Sequence, residues 1–464
     1  MKVSDNVKNA YREDGITKHL SLYFPEIDKE ISGVPIHQES MYLSESLMES
    51  DSIEFVGCIA SKFKIKVQGL REDIKDKKIT VRIHTDGTES EPVVLFNGIV
   101  DSAIKQSNRQ IKEITAYDEL YTRGNRDVSS WYKSLRFPLT LKQIRDSLFD
   151  YIGIRQVQIS LPNDGIMINK QYDPNSLKAL AVMKAICQIN GAFGIINRNG
   201  AFEYRILGAM DTEDDGLYTA FYPGEDAFPG ISMSALVRAL EQDEVNTSEI
   251  SFYRDVKYEE FTVKPVDKLT IRQSEDSPGV SYGSGDNNYI IQGNMFTYGL
   301  PGSVLSQIAE NIYPNVRGFS YHPFTSQNNG LPYLECGVDA VSYTMIDYEA
   351  METSGELIYE NKKFYILNRE LSGIQALKDS YSAEGEEYQT EFITDLQTQI
   401  DILKQNAARD VDTKLANYYD IPTIDSMLAN IGGGGNANIV SVSVLPDNPD
   451  PNTLYLIQGE VIVE

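Results

Sequence analysis

Apolar and polar residues alternate along "KFKIKVQGL" at 62–70, with Phe63, Ile65 and Val67 set against Lys62, Lys64 and Lys66. "KKITVRIHTDG" repeats the pattern and ends in an Asp86-Gly87 turn. "PVVLFNGIVDSAIKQSNRQIKEITAYD" holds two such runs joined by a polar Ser-Asn turn. Period-two patterning with turns about every ten residues predicts an antiparallel sheet or barrel over 18–125, behind an N-terminal arm at 1–17.

The period then lengthens. "TLKQIRDSLFDYIG" places Leu141, Ile144, Leu148 and Ile152 on one helical face. Thr140 and Gln143 have capping-box spacing, and Gly153 stands where a left-handed C-terminal residue belongs. "DPNSLKALAVMKAICQING" (173–191) predicts a second helix, apolar nearly all round and so buried. "AFGIINRNGAFEYRIL" predicts a hairpin turning on Arg198-Asn199-Gly200. These elements predict a small α+β unit over 126–240.

From about 245 the strands return, in "EISFYRDVKYEEFTVK", "KLTIRQS", "NNYIIQGNMF", "PYLECGVDAVSYTMID" and "GELIYENKKFYILNREL". Among them "SVLSQIAENIYPN" predicts a helix started by Ser303 and stopped by Pro314. The expected fold is mainly β, two sheet domains (18–125 and 241–385) flanking an α+β insert.

After Gly385 the pattern predicts a helix over 386–418. Ile393, Leu396, Ile400, Leu403 and Ala407 follow the three-four spacing of a coiled-coil seam, and the rest of the surface is polar. So polar a helix buries too little to stand alone; it needs copies of itself or its own domain beneath it. A flexible linker at 419–437, containing "GGGG", leads to two β runs at 438–464 around a Pro/Asp/Asn turn. Two strands alone are marginal, so Leu454, Leu456, Val461 and Val463 are expected to dock a partner or threefold copies of the same tail.

Composition narrows the chemistry. The net charge of −26 opposes binding to nucleic-acid backbones or anionic membranes, yet suits a wall that DNA slides past. The opening residues lack the apolar core of a secretory signal, and no stretch reaches the roughly 18 apolar residues of a membrane span. Three cysteines, Cys58, Cys187 and Cys336, stand far apart with no CxxC, and read as reduced thiols. His19, His37, His84 and His322 are isolated in sequence, and no HExxH, P-loop, GxSxG or zinc-spaced set occurs. "DTEDDG" (211–216) approaches an EF-hand loop, but Tyr222 falls where a bidentate Glu is required. No catalytic residue, metal or cofactor is therefore assigned. With 68 acidic residues, a glycosidase-type carboxylate pair stays open.

Two stretches carry a family likeness. "SGVPIHQESMYLSESLMESDSIEFVGCIASKFKIKVQGL" resembles the opening sheet domain of phage tail-hub proteins from phages of Gram-positive bacteria, relatives of the central baseplate hubs of contractile tails. "FYILNRELSGIQALKDSYSAEGEEYQTEF" resembles the end of their second sheet domain through Arg369, Gly373, Ala376, Leu377, Asp379, Ala383 and Gly385. The resemblance spans 18–392 and implies two tail-tube-like β-barrels. It also implies a homotrimer that adapts a hexameric tube to a threefold tip, and no catalytic residues. The implied partners are the distal tail and tail tube proteins above and tip or fibre proteins below. A tape-measure protein or genome DNA would pass through the lumen. The implied place is the virion tail tip, assembled in a host cytoplasm. Some relatives append a wall-degrading domain; this chain has only a helix, a linker and a short β tail there. A tail-associated lysin and a receptor-binding adhesin are the competing functions.

Overall fold

The computed structural model describes residues 3–13, 15–48, 54–105, 110–169, 174–207, 247–249, 253–273, 277–346, 359–388, 392–393, 438–442 and 453–457. The protein is mainly β with few helices, and it divides into two compact units, Met1–Gln399 and Ile400–Glu464.

Helix α1 (Asp5–Arg12) is capped by Ser4. It precedes β1 (Lys18–Phe24), β2 (Lys29–Ser32), β3 (Tyr42–Ser46), β4 (Lys62–Gln68), β5 (Lys78–Thr85), β6 (Val93–Lys105) and β7 (Ile111–Tyr117). The predicted alternation holds in β4: Phe63, Ile65 and Val67 are buried while the intervening lysines reach the surface. Gly87 takes the left-handed conformation its turn requires. Neighbours run β3-β4-β7-β6-β5-β1-β2. The chain leaving β2 then returns to β4: Ile36 bridges Val67, and the His37 N–H donates to the Lys66 carbonyl at 3.0 Å. The segment after β2 thereby pairs with the C-terminal half of β4. The N-terminal half of the same edge is occupied by β3, through Leu43–Phe63 and Ser44–Lys62.

The middle region carries α2 (Glu119–Gly124), α3 (Ser129–Ser134), β8 (Leu139–Thr140), α4 (Leu141–Ile152), β9 (Met167–Ile168), α5 (Ala179–Gln188), β10 (Phe193–Ile196) and β11 (Phe202–Arg205). Helix α4 has the predicted capping box and the left-handed Gly153 end. Helix α5 is buried as expected but starts at Ala179, because Lys178 is extended and bridges Asp127. β10 and β11 form the predicted hairpin, with Gly200 left-handed in its turn.

The remaining strands of the larger unit are β12 (Thr247–Glu249), β13 (Tyr253–Tyr258), β14 (Lys268–Arg272), β15 (Val280–Gly283), β16 (Asn288–Gln292), β17 (Phe324–Asn329), β18 (Ala340–Ile346), β19 (Tyr359–Tyr365), β20 (Asn368–Ser372), β21 (Lys378–Ala383) and β22 (Phe392–Ile393). Helix α6 (Gly302–Val316) starts after Pro301 and runs through Pro314, which the sequence suggested would stop it. The proline sits so near the end that only Arg317 and its neighbours lie beyond the missing donor.

The two expected sheet regions are fused. β20 pairs with β3 through Arg369–Glu45 and Leu371–Leu43. One 11-stranded sheet results, ordered β13-β17-β21-β20-β3-β4-β7-β6-β5-β1-β2. The helix expected from Glu386 does not begin there. Glu386–Tyr388 is irregular, and Phe392–Ile393 is a strand beside Ile291 and Gln292 of β16. A neighbouring strand edge offers these two β-favouring residues ladder hydrogen bonds that override the heptad pattern.

In the smaller unit, β23 (Asn438–Val442) and β24 (Thr453–Ile457) pair in parallel, with Ile439 opposite Leu454 and Ser441 opposite Leu456.

Candidate functional site

The segment between β17 and β18 is buried from Leu331 to Gly337. A buried loop exposes carbonyls to no water, so each needs an internal donor. Three arginines, two from the β10–β11 hairpin and one from β20, supply donors to four of them. Arg369 of β20 donates to the Leu331 carbonyl at 2.9 Å and also to that of Leu334. Arg198, in the β10–β11 turn, donates to Leu334 at 2.7 Å and also to Pro332. Arg205 of β11 donates to the Cys336 carbonyl.

Their charges are balanced in place. Arg369 reaches Asp379 through Nε and Nη2, both at 2.8 Å, and Glu45 through Nη1 at 3.3 Å. All five of its N–H donors are used. Glu45 also accepts from Arg198 at 3.3 Å, and Glu335 from Arg205 at 2.8 Å. Tyr381 donates to Asp379 at 2.7 Å. Burial opposes charge on Arg205 and Arg369, but the surrounding carboxylates hold both guanidiniums above their usual range. Burial would raise Glu335, yet positive charges, Arg198 and Arg205 among them, keep it below the usual carboxylate range. Burial pushes Asp339 up to about 6. A carboxylate held ionised by buried guanidiniums is a poor proton carrier. The arrangement can fix three regions against one loop, with Glu45 from β3, Arg369 from β20 and the two hairpin arginines.

The opposite face of the same strands differs. The register sets Ser44, Glu370, Ser380 and Gln327 in one cross-strand row. Ser46, Asn368, Ser382, Thr325 and Lys257 form the next. These rows line a shallow concavity of about 510 Å³ spanning β3, β20, β21, β17 and β13. Its lining is largely hydroxyl and amide with Lys257, Glu370 and Glu384 among them, and it carries no exposed aromatic ring.

The residues that carried the family likeness have physical reasons. Arg369 and Asp379 are the buried pair. Gly373 is left-handed (φ 74°), and a Cβ there would lie 2.7 Å from the Ala376 carbonyl oxygen. A Cβ on Gly385 would meet the Tyr321 hydroxyl and Val263 Cγ2, both at 2.6 Å. Leu377 and Ala383 are core.

Other sequence candidates fall elsewhere. His19 and His84 sit opposite on β1 and β5, with rings stacked at 5.1 Å, and His19 Nε2 lies 2.7 Å from Asp86. His322 Nδ1 lies 3.3 Å from the Phe261 carbonyl oxygen, and His37 caps a turn ahead of β3. Among the described residues no group of three or more His, Cys, Asp or Glu is arranged to hold a metal. No helix among them is long and apolar enough to cross a membrane. Of the seam, Ile393 lies in β22; Leu396, Ile400, Leu403 and Ala407 lie outside the described residues, as does "DTEDDG". Leu454 and Leu456 lie on β24, and Val461 and Val463 outside the described residues. Glu45, Arg198, Arg205 and Glu335 had no sequence signal: Arg198 and Glu45 are 153 positions apart.

No protein-family model matches the chain, and no curated protein matches it. Three solved structures similar to it are tail proteins. The tail protein from Neisseria meningitidis MC58 is 11% identical, with 80% of this chain and 98% of that one covered and a TM-score of 0.44. The 43 kDa tail protein of prophage MuSo2 from Shewanella oneidensis is 13% identical, with 79% and 98% covered and a TM-score of 0.44. Prophage tail protein gp18 from Listeria monocytogenes EGD-e is 12% identical, with 84% and 98% covered and a TM-score of 0.43.

Proposed function

We propose that the chain is a structural virion protein, the homotrimeric hub at the distal end of a phage tail tube. Each subunit contributes two barrel-like modules, so three subunits offer six to the hexameric tube and threefold symmetry to the tip. The distal tail and tail tube proteins bind above, and tip or fibre proteins below. The tape-measure protein and then DNA pass through the lumen without sequence readout.

The observation that carries this reading is the polar concavity over β3, β20, β21, β17 and β13. It lies where the two sheet regions fuse, is lined mostly by hydroxyl and amide side chains with one lysine, Lys257, beside Glu370 and Glu384, and belongs to a chain of net charge −26. Such a wall offers phosphates few cations to hold them and gives bases nothing to stack on. The buried arginine cluster supports the same reading, since it fixes the two regions and the α+β unit as one wall.

Electron-microscopic class averages of the purified protein test the proposal. Threefold rings around an open channel are expected, with light scattering giving three chains per particle. Monomers at all micromolar concentrations, together with particles whose tail tips lack the chain, would sink it.

A further inference from the structure

Cys58 lies between β3 and β4, and Cys187 lies in the last turn of α5. They are 129 positions apart in sequence, yet their sulfur atoms lie 3.8 Å apart in a buried contact. The backbone is shaped around this meeting. Cys58 holds a left-handed conformation (φ 60°) directly after left-handed Gly57 (φ 58°). A non-glycine residue with a sulfhydryl side chain seldom occupies that region. The strand-like contact beside it is tight: the Cys58 N–H donates to the Gly194 carbonyl at 2.6 Å, and the Gly194 N–H donates to the Val56 carbonyl at 3.0 Å. A Cβ on Gly194 would lie 2.6 Å from Cys58 Sγ and 2.9 Å from Cys187 Sγ. Both sulfurs therefore occupy the space that a missing side chain leaves open. If the pair served only as apolar filling, alanine or valine at 187 and glycine at 58 would fill it without a strained cysteine.

We propose that Cys58 and Cys187 form a redox-responsive pair that closes into a disulfide, riveting the first sheet region to the α+β unit. The oxidant is a peroxide small enough to enter. The Cys58 thiolate attacks one peroxide oxygen: an S–O bond forms, the O–O bond breaks, and the leaving hydroxide takes a proton to become water. The Cys187 sulfur then attacks the Cys58 sulfenic sulfur and gives up its proton. The S–S bond forms, the S–O bond breaks, and the oxygen leaves as a second water. Two thiols are oxidised and one peroxide is reduced. Burial pushes the Cys187 thiol up, which disfavours it as the first nucleophile and leaves it the second step. Cys336 is a built-in comparison: it too is buried, but its Sγ–H points to the Glu45 carbonyl at 3.6 Å.

The test uses the full chain, purified under reductant, exchanged into buffer and exposed to stoichiometric hydrogen peroxide. Before alkylation the expected product is lighter than the reduced chain by two hydrogens; it is then denatured and alkylated. It carries one alkylated cysteine, Cys336, and yields a linked Cys58–Cys187 peptide. Its melting temperature rises by several degrees above that of the reduced protein and falls back with dithiothreitol. Cys58→Ser should show neither change. Three alkylatable thiols after peroxide, or sulfinic acid at either cysteine with no linked peptide, would overturn the proposal. Both readouts come from the unaltered chain, so a poorly folding variant does not obscure them.

Discussion

Arg369 and Asp379 meet through paired hydrogen bonds of 2.8 Å, with neither side chain exposed to solvent at all. The pair sits diagonally across β20 and β21, since Arg369 is registered with Tyr381 and Asp379 with Leu371. Replacing one partner strands the other. Arg369→Met should cost about 3–5 kcal/mol, because it leaves a buried carboxylate uncompensated and takes donors from the Leu331 and Leu334 carbonyls. Pairing it with Asp379→Leu should recover part of that loss. Urea unfolding of both variants checks it; a single variant as stable as the parent would contradict the assignment.

Gly373→Ala should destabilise by about 1–3 kcal/mol, since the residue is left-handed and a Cβ would press on the Ala376 carbonyl. Gly15→Ala, also left-handed but with open space around its Cβ position, should cost only about 1 kcal/mol. Thermal melts that rank the two the other way would refute the steric argument.

Asp118 caps α2 through Leu120 N–H and accepts from Ser61 N–H at 2.7 Å, yet burial pushes it up to about 7. A carboxyl whose folded value lies above its unfolded value binds more protons in the folded state. Its stabilisation is therefore complete below about pH 4 and is lost as pH rises through about 7. Stability of the parent relative to Asp118→Asn should fall between about pH 5 and 8, by about 1–3 kcal/mol. A flat difference across that range would show that the two N–H donors outweigh burial.

The polar concavity makes a separate prediction about passage. Thr325→Lys, Gln327→Lys and Glu370→Lys together place ammonium groups on β17 and β20, the strands on either side of β21. The parent protein should not retain duplex DNA on a column at any salt. The variant should hold it at roughly 50 mM salt and release it by roughly 200 mM. Retention by the parent, or none by the variant, would count against a DNA-facing wall.

Removing residues 432–464 should leave the oligomer intact and disturb attachment of fibre or tip proteins, if the β23–β24 pair is the docking element proposed. Complete, infectious particles built from the truncated chain would remove that role.

Much of the local structure was legible in the sequence. The alternation of β4, the Thr140–Gln143 box and the Gly200 turn are short-range patterns, and each is set by its own few residues. What escaped depends on partners far along the chain. Nothing near Glu45 announces Arg369, 324 positions away, and nothing in β3 announces that its free edge belongs to β20. The strand at Phe392–Ile393 was misread for the same reason: a heptad spacing is local, whereas the edge of β16 that claims those residues is not. The candidate site was visible only as unexplained likeness at Arg369, Gly373 and Asp379; the geometry supplies the reason for each.

The division of the β4 edge between β3 and the returning Ile36 segment has a mechanical consequence. Two modules joined by a tether would swivel, and torque applied at one end would be lost in the joint. Here β3 is stitched on both sides, to β4 and to β20, so the two regions share a ladder instead of a hinge. Pulling along those strands loads their hydrogen bonds together in shear instead of peeling them one at a time. A twist imposed on the first region is therefore carried to the second through backbone hydrogen bonds, as along a riveted plate and not a hinge.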